Sequence, residues 1–200
     1  YRTNHPVKIE KNTEVRMHVW GGNAWNSLVC IALEAMGELE GKSVLELGFN
    51  DGSMAREFAR RGAQVTALEV REVNVEPHPG VTFIHYDGNL DTIQGAYDFV
   101  FTKSVLVLTD IERTIPAICR HLKPNGRAVF IENGAGAAGL SWLRYLLRPK
   151  SVWGNVRYLG KRDVRFIASH FEGCDVHRTY FPPVYLMVAH RPIFFAPEHR

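Results

Sequence analysis

Ten residues, Val44-Leu45-Glu46-Leu47-Gly48-Phe49-Asn50-Asp51-Gly52-Ser53, carry the most chemistry per position in this chain. Gly48 lets the backbone turn sharply, and Gly52 lets a ligand approach the N-terminus of the helix that follows. Backbone N–H groups after Gly48 suit the anionic end of a ligand, and carbonyls of the same loop suit a cationic one. Glu46 has two readings: it organises the amides of its own loop, or it faces the ligand. Glu69 closes the next apolar run twenty-one positions after Gly48, where a carboxylate can accept both hydroxyls of a ribose. A nicotinamide fingerprint, G-x-G-x-x-G, is missing, because Asn50 and Ser53 stand where its second and third glycines belong. That disfavours an oxidoreductase.

Other chemistries find less support. The nine histidines form no HExxH-type ligand pair, and no acidic cluster of the kind a hard cation needs is apparent. No metal is therefore expected. His85 sits in an apolar run and is expected to be packed. His18, beside Trp20-Gly21-Gly22, is a weak candidate for a pocket or an exposed loop residue. Cys30, Cys119 and Cys174 are odd in number and far apart, which argues against a disulfide framework and for a reducing cytoplasm. With 46% hydrophobic and 22% charged residues and a net charge of +3, the 200 residues suit one globular domain. The charge is too mild to imply nucleic acid, and no apolar run is long enough to span a membrane. The chain opens on Tyr1, as a trimmed or processed product would, which leaves a removed targeting segment open.

The elements that must position these residues alternate. Leu28, Ile31, Ala35, Met36 and Leu39 fall at helical spacing, with Asn26 as a cap and Gly41 as a stop. Strands are expected at Val44–Leu47, Val65–Leu68, Val81–His85, Tyr97–Thr102 and Ala128–Ile131, and a helix over Ser53–Arg61. Pro77 and Pro79 leave only a brief or degenerate helix between the second and third strands. A capping box at Thr109 and Glu112 opens the helix before the fifth strand, with Pro116 kinking it or moving its start to about Thr114. Lys123-Pro124-Asn125-Gly126 is a turn. Strand–helix alternation of this kind marks a parallel sheet covered on both faces.

Glu46-x-Gly48-x-Asn50-x-Gly52 resembles the first motif of class I S-adenosylmethionine-dependent methyltransferases. Glu69, Asp87 in His85-Tyr86-Asp87-Gly88, Tyr97-Asp98-Phe99-Val100 and the LKPGG-like Leu122–Gly126 follow in the family's order, over about residues 39–132. The resemblance implies a doubly wound, mostly parallel, Rossmann-like α/β sheet of seven strands. Its order would be 3-2-1-4-5-7-6, with the last strand antiparallel, helices on both faces and an insertion after the fifth strand. It further implies S-adenosylmethionine as cofactor, held by Glu46, Gly48, Phe49, Asn50, Gly52, Glu69, Val70, Asp87, Gly88 and Thr102. Asp87 would contact the adenine amine.

One domain, 1–200, then divides into an N-terminal cap and helix (1–41), a cofactor-binding half (42–133), an insertion (134–160) and a C-terminal part (161–200). From Gly134 to Gly160 the chain carries four basic residues and no acid, interleaved with aromatics. In related enzymes an insertion here forms a lid, so Trp142, Arg144, Tyr145 and Arg148, with Trp20 and Lys103, are expected at the substrate. A core-packing helix with solvated arginines is the competing reading. Lys103 either steers an anionic acceptor, with a weak claim to catalysis, or rides on its loop. The expected activity is methyl transfer to oxygen or nitrogen of a small anionic or amphiphilic molecule. The alternatives are a catalytically silent partner subunit and an RNA methyltransferase. A membrane surface is an optional partner, and the oligomeric state, the acceptor and any general base are not legible.

Overall fold

The computed structural model describes residues 22–135, 156–180 and 183–194. Within them runs α1 (Gly22–Met36), β1 (Ser43–Leu47), α2 (Ser53–Arg60), β2 (Gln64–Glu69), β3 (Val81–His85) and β4 (Tyr97–Lys103). Then follow α3 (Ile111–Arg120), β5 (Leu122–Asn133), α4 (Lys161–Ala168), β6 (Phe171–Tyr180) and β7 (Pro183–Pro192). Short 3-10 turns at Leu90–Thr92 and Leu106–Leu108 flank β4. The seven strands form one sheet in the order β3-β2-β1-β4-β5-β7-β6. β1 to β5 pair in parallel, and β7 is antiparallel to both β5 and β6.

The period-2 alternation of each strand divides the core into two layers. Val44, Phe99, Phe101, Val129 and Ile131 pack with α1 and α2 on one face. Leu45, Leu47, Val100, Ala128 and Phe130 pack with α3 and α4 on the other. Both layers are apolar along the central strands except at their carboxyl ends, where Glu46, Thr102 and Glu132 are buried. Phe58 against Phe101 and Phe130 against Phe171 meet edge to face across helix–sheet and strand–strand contacts.

Local differences from the sequence expectations have physical causes. α1 stops at Met36 rather than at Gly41, because Gly37 takes a φ of 74° and donates to the Leu33 and Glu34 carbonyls. Leu39 is buried beyond the helix end. α3 is capped by Asp110, whose side chain accepts from the Glu112 amide, not by Thr109. Pro116 sits inside α3, so the start does not move to Thr114. Lys123–Gly126 loops out as expected, but within β5: Tyr97 pairs with Leu122 and Phe99 with Arg127. Residues 70–80 contain no helix, and Val73 and Val75 reach the core from extended chain. The groove left beside them measures about 550 Å³ and is lined by Val75, Pro77, His78, Pro79, Val81 and Phe83.

Candidate active site

β1 delivers Glu46 and then turns at Gly48, whose φ is 73°. Asn50 and Gly52 also have positive φ, 52° and 73°, and Gly52 is the N-cap of α2. A Cβ at Gly48 would lie 2.4 Å from Val105 Cγ2, and one at Gly52 would lie 2.9 Å from Phe83 Cε1. Both positions need glycine for conformation and for space. The loop's amides are engaged by the protein itself. Gly48 and Phe49 donate to the Leu68 carbonyl, Asn50 to Glu69 Oε2 (3.1 Å), Gly52 to the Phe49 carbonyl and Ser53 to Asp51 Oδ1. These N–H groups therefore differ from the anion-binding role expected of them.

Glu46 is 2% exposed, and its Oε2 has no hydrogen-bond partner. Burial pushes its carboxyl up to about 8, against the pull of Lys103. Lys103 ends β4 on the same face of the sheet as Glu46. Burial holds its amine below the usual lysine range, while Glu46 and Asp51 draw it back up. Burial opposes ionisation of Asp51 too, but hydrogen bonds from Ser53 outweigh it and hold the carboxyl below its ordinary value.

Glu69 ends β2 with both oxygens in use. Oε1 accepts from the Val70 amide (3.1 Å), and Arg71 bonds both oxygens at 3.2 Å. The same guanidinium reaches Asn50 Oδ1 at 3.1 Å, tying the two sides of the loop together. Burial raises the Glu69 carboxyl, and the Arg71 and Asn50 bonds outweigh it, so it stays below the usual range. Val70 beside it is 53% exposed and forms an apolar platform. A Cβ at Gly88 would lie 3.8 Å from Val70 Cγ1, and exposed Asp87 accepts from the Asn89 amide.

Expected site residues thus gather in two groups. Glu46, Gly48, Asn50, Gly52 and Lys103 lie together, and Glu69, Val70, Asp87 and Gly88 form the adjoining wall. Phe49 points its ring into the core against Phe83, 4.9 Å between centroids, so it offers the site only backbone. Thr102 is fully buried and gives its hydroxyl to Glu132 at 2.6 Å. His85 is exposed rather than packed, and its Nε2 lies 3.0 Å from the Val70 carbonyl oxygen. The reason is that β3 is an edge strand whose side chains meet solvent. His18, Trp20, Trp142, Arg144, Tyr145 and Arg148 lie outside the described residues. Among the described residues, no three His, Cys, Asp or Glu side chains cluster as metal ligands. Arg71 and Glu132 were missed as site residues. Their signals were an arginine two places past the Glu69 carboxylate and an acid ending an apolar strand.

The buried, unpartnered acceptor of Glu46 fits the ammonium of an amino-acid-bearing nucleoside. Residues 27–171 match the family model described as a methyltransferase domain. The chain belongs to the class I S-adenosylmethionine-dependent methyltransferases. This methyltransferase is 31% identical to the ubiquinone biosynthesis O-methyltransferase of Sodalis glossinidius over 112 residues, 49% of this chain and 44% of that one. It therefore spans less than half the length of that curated relative.

Two solved structures share the fold. Magnesium protoporphyrin IX methyltransferase of Synechocystis PCC 6803, with bound S-adenosylhomocysteine, superposes with a TM-score of 0.59 at 21% identity, covering 84% of this chain and 83% of that one. A phosphoethanolamine N-methyltransferase of Haemonchus contortus gives 0.66 at 17% identity over 87% and 54%. The latter holds phosphomonomethylethanolamine and S-adenosylhomocysteine. The methyltransferase's cofactor is S-adenosylmethionine. No helix among the described residues is long and apolar enough to cross a membrane.

Proposed function

We propose that the protein transfers a methyl group to an oxygen or nitrogen of a small anionic or amphiphilic molecule. The observation that carries this reading is the placement of Lys103. It is a half-buried amine at the carboxyl end of β4, beside Glu46 and Asp51, where the acceptor must meet the cofactor. When bound, S-adenosylmethionine supplies an activated methyl carbon, so the chain's own task is mainly alignment. Glu46 Oε2 would accept from the ammonium of the amino-acid moiety. Glu69 would accept from the ribose hydroxyls after Arg71 moves off its oxygens. Val70 would pack on the adenine face, with Asp87 and Gly88 at its edge. Lys103 would hold an anionic group of the acceptor or take its proton, since burial lowers the cost of the neutral amine.

Small anionic acceptors are supported by the Haemonchus contortus neighbour, which is complexed with a phosphate-bearing amine. The test is methyl transfer from labelled S-adenosylmethionine to a panel of phenol carboxylates, phosphoamines, neutral phenols and RNA. Turnover of an anionic member whose KM rises about ten-fold in Lys103→Met, measured at saturating S-adenosylmethionine, supports the reading. Turnover of RNA with steep salt dependence would replace it with the nucleic-acid reading. Absence of S-adenosylhomocysteine binding would replace it with a silent partner subunit.

A further inference from the structure

Glu132 ends β5 with none of its surface exposed. A carboxylate there costs several kcal/mol unless its partners compensate. Its Oε1 accepts from Thr102 Oγ1 at 2.6 Å and from the Val105 amide at 3.1 Å, and Oε2 has no partner. The amides of Leu106 and Val107 also favour its charged form. These N–H groups open the 3-10 turn Leu106–Leu108, which has no side-chain cap of its own. A distant strand therefore provides the cap that local sequence lacks.

The residues on either side of Glu132 hold the same loop. The Ile131 carbonyl accepts from the Ser104 amide at 2.9 Å, and Asn133 Nδ2 donates to Ser104 Oγ at 3.0 Å. Ser104 is kept at a φ of 61°, a conformation a serine adopts only when its surroundings impose it. The loop so fixed has two working ends. Val105 presses its Cγ2 against Gly48, and Lys103 projects to the opposite face toward Glu46 and Asp51.

We propose that Glu132 is a positioning residue for methyl transfer, clamping the Thr102–Val105 loop against the glycine loop that holds the cofactor. The proposal rests on the cofactor assignment and not on the identity of the acceptor. It acts through Val105 and Lys103 and touches no substrate itself. Burial pushes the Glu132 carboxyl up to about 7, despite the hydrogen bonds that favour its ionised form. Tyr185 stands opposite it on β7, and Arg178 stands opposite Tyr185 on β6 with its guanidinium over the Tyr185 ring. The clamp is therefore stronger above neutral pH, where the carboxylate is charged.

The experiment is calorimetric titration with S-adenosylhomocysteine from pH 6.0 to 8.5, on the unaltered protein and on Glu132→Gln. The amide keeps the acceptor for Thr102 and removes the charge. The ratio of the two dissociation constants isolates Glu132, because Glu46 titrates in both proteins and cancels. The ratio is expected to be near one at pH 6.0 and about five-fold at pH 8.5, the loss of charge assistance to two hydrogen bonds. Protection factors of the 102–108 amides in the unaltered protein, their exchange rates divided into the base-catalysed intrinsic rates, should rise across the same interval, a readout needing no variant. A ratio that stays flat with pH, or protection factors that ignore pH, overturns the proposal. So does a variant that melts lower yet binds S-adenosylhomocysteine equally at every pH. Failure of the unaltered protein to bind S-adenosylhomocysteine would instead strike the cofactor assignment.

Discussion

Glu46 is expected to make cofactor binding a proton-releasing event. Without ligand its carboxyl is pushed up to about 8 by burial, so at pH 7 it is mostly protonated. An ammonium against the unpartnered Oε2 needs the charged form. Ionising the group at pH 7 then costs one unit, about 1.4 kcal/mol, a factor of ten in affinity. The sign follows directly: binding lowers the pKa, so affinity rises with pH up to the ligand-free value and levels above it. S-adenosylhomocysteine should bind about ten-fold tighter at pH 7 than at pH 6, releasing about 0.9 proton per ligand at pH 7. Calorimetry at pH 7 in buffers of different ionisation enthalpy measures that release. Glu46→Gln should lose most of the slope and of the release, keeping only the smaller share that Glu132 contributes. Lys103→Met removes a charge that draws Glu46 down and should move the rise to higher pH. Identical heats in every buffer, with Glu46→Gln binding as the unaltered protein does, would refute an ammonium at Glu46.

Glu69→Ala should weaken S-adenosylhomocysteine binding by about 1.5–3 kcal/mol by titration, since ribose hydroxyls and the Asn50 amide lose a charged acceptor. Arg71→Ala should act oppositely and by less, within about 1 kcal/mol, because the partly exposed pair competes with ribose for the same oxygens. Gly48→Val should lower stability by about 2–4 kcal/mol in denaturant titration, combining a β-branched residue at φ 73° with the overlap on Val105. The ligand-free protein should melt several degrees lower at pH 8.5 than at pH 5. The folded carboxyls of Glu46 and Glu132, raised from 4.5 to about 8 and about 7, keep protons that the unfolded chain has released.

The parallel half of the sheet was legible because its signals are local. Val81–His85 is β3 to the residue, and Gly48 and Gly52 mark the turn at the end of β1. α1 ends before Gly41 because Gly37 also offers a left-handed stop and its amide closes the helix on the Leu33 and Glu34 carbonyls. The Glu46 region was legible as a ligand loop, but periodicity has nothing to say about where its amides donate. Arg71 became visible only through a guanidinium that spans from Glu69 to Asn50, a contact twenty-one residues apart in sequence. Glu132 looked like an ordinary strand end, since its partners come from a loop some thirty residues earlier. Long-range hydrogen bonding of that kind leaves no periodic trace in composition.

The position of β7 between β5 and β6 has a consequence for biosynthesis. β5 is central, with Val129, Phe130 and Ile131 fully buried, yet its second neighbour comes from residues 183–192. A nascent chain that has emerged through α4 therefore carries β5 with one side of its backbone unpaired. The antiparallel β6–β7 hairpin is the piece that closes this edge, and it is synthesised after the five parallel strands. Until then the chain presents the kind of open strand that recruits other chains, and the sheet keeps that edge open until residues 183–192 pair with β5.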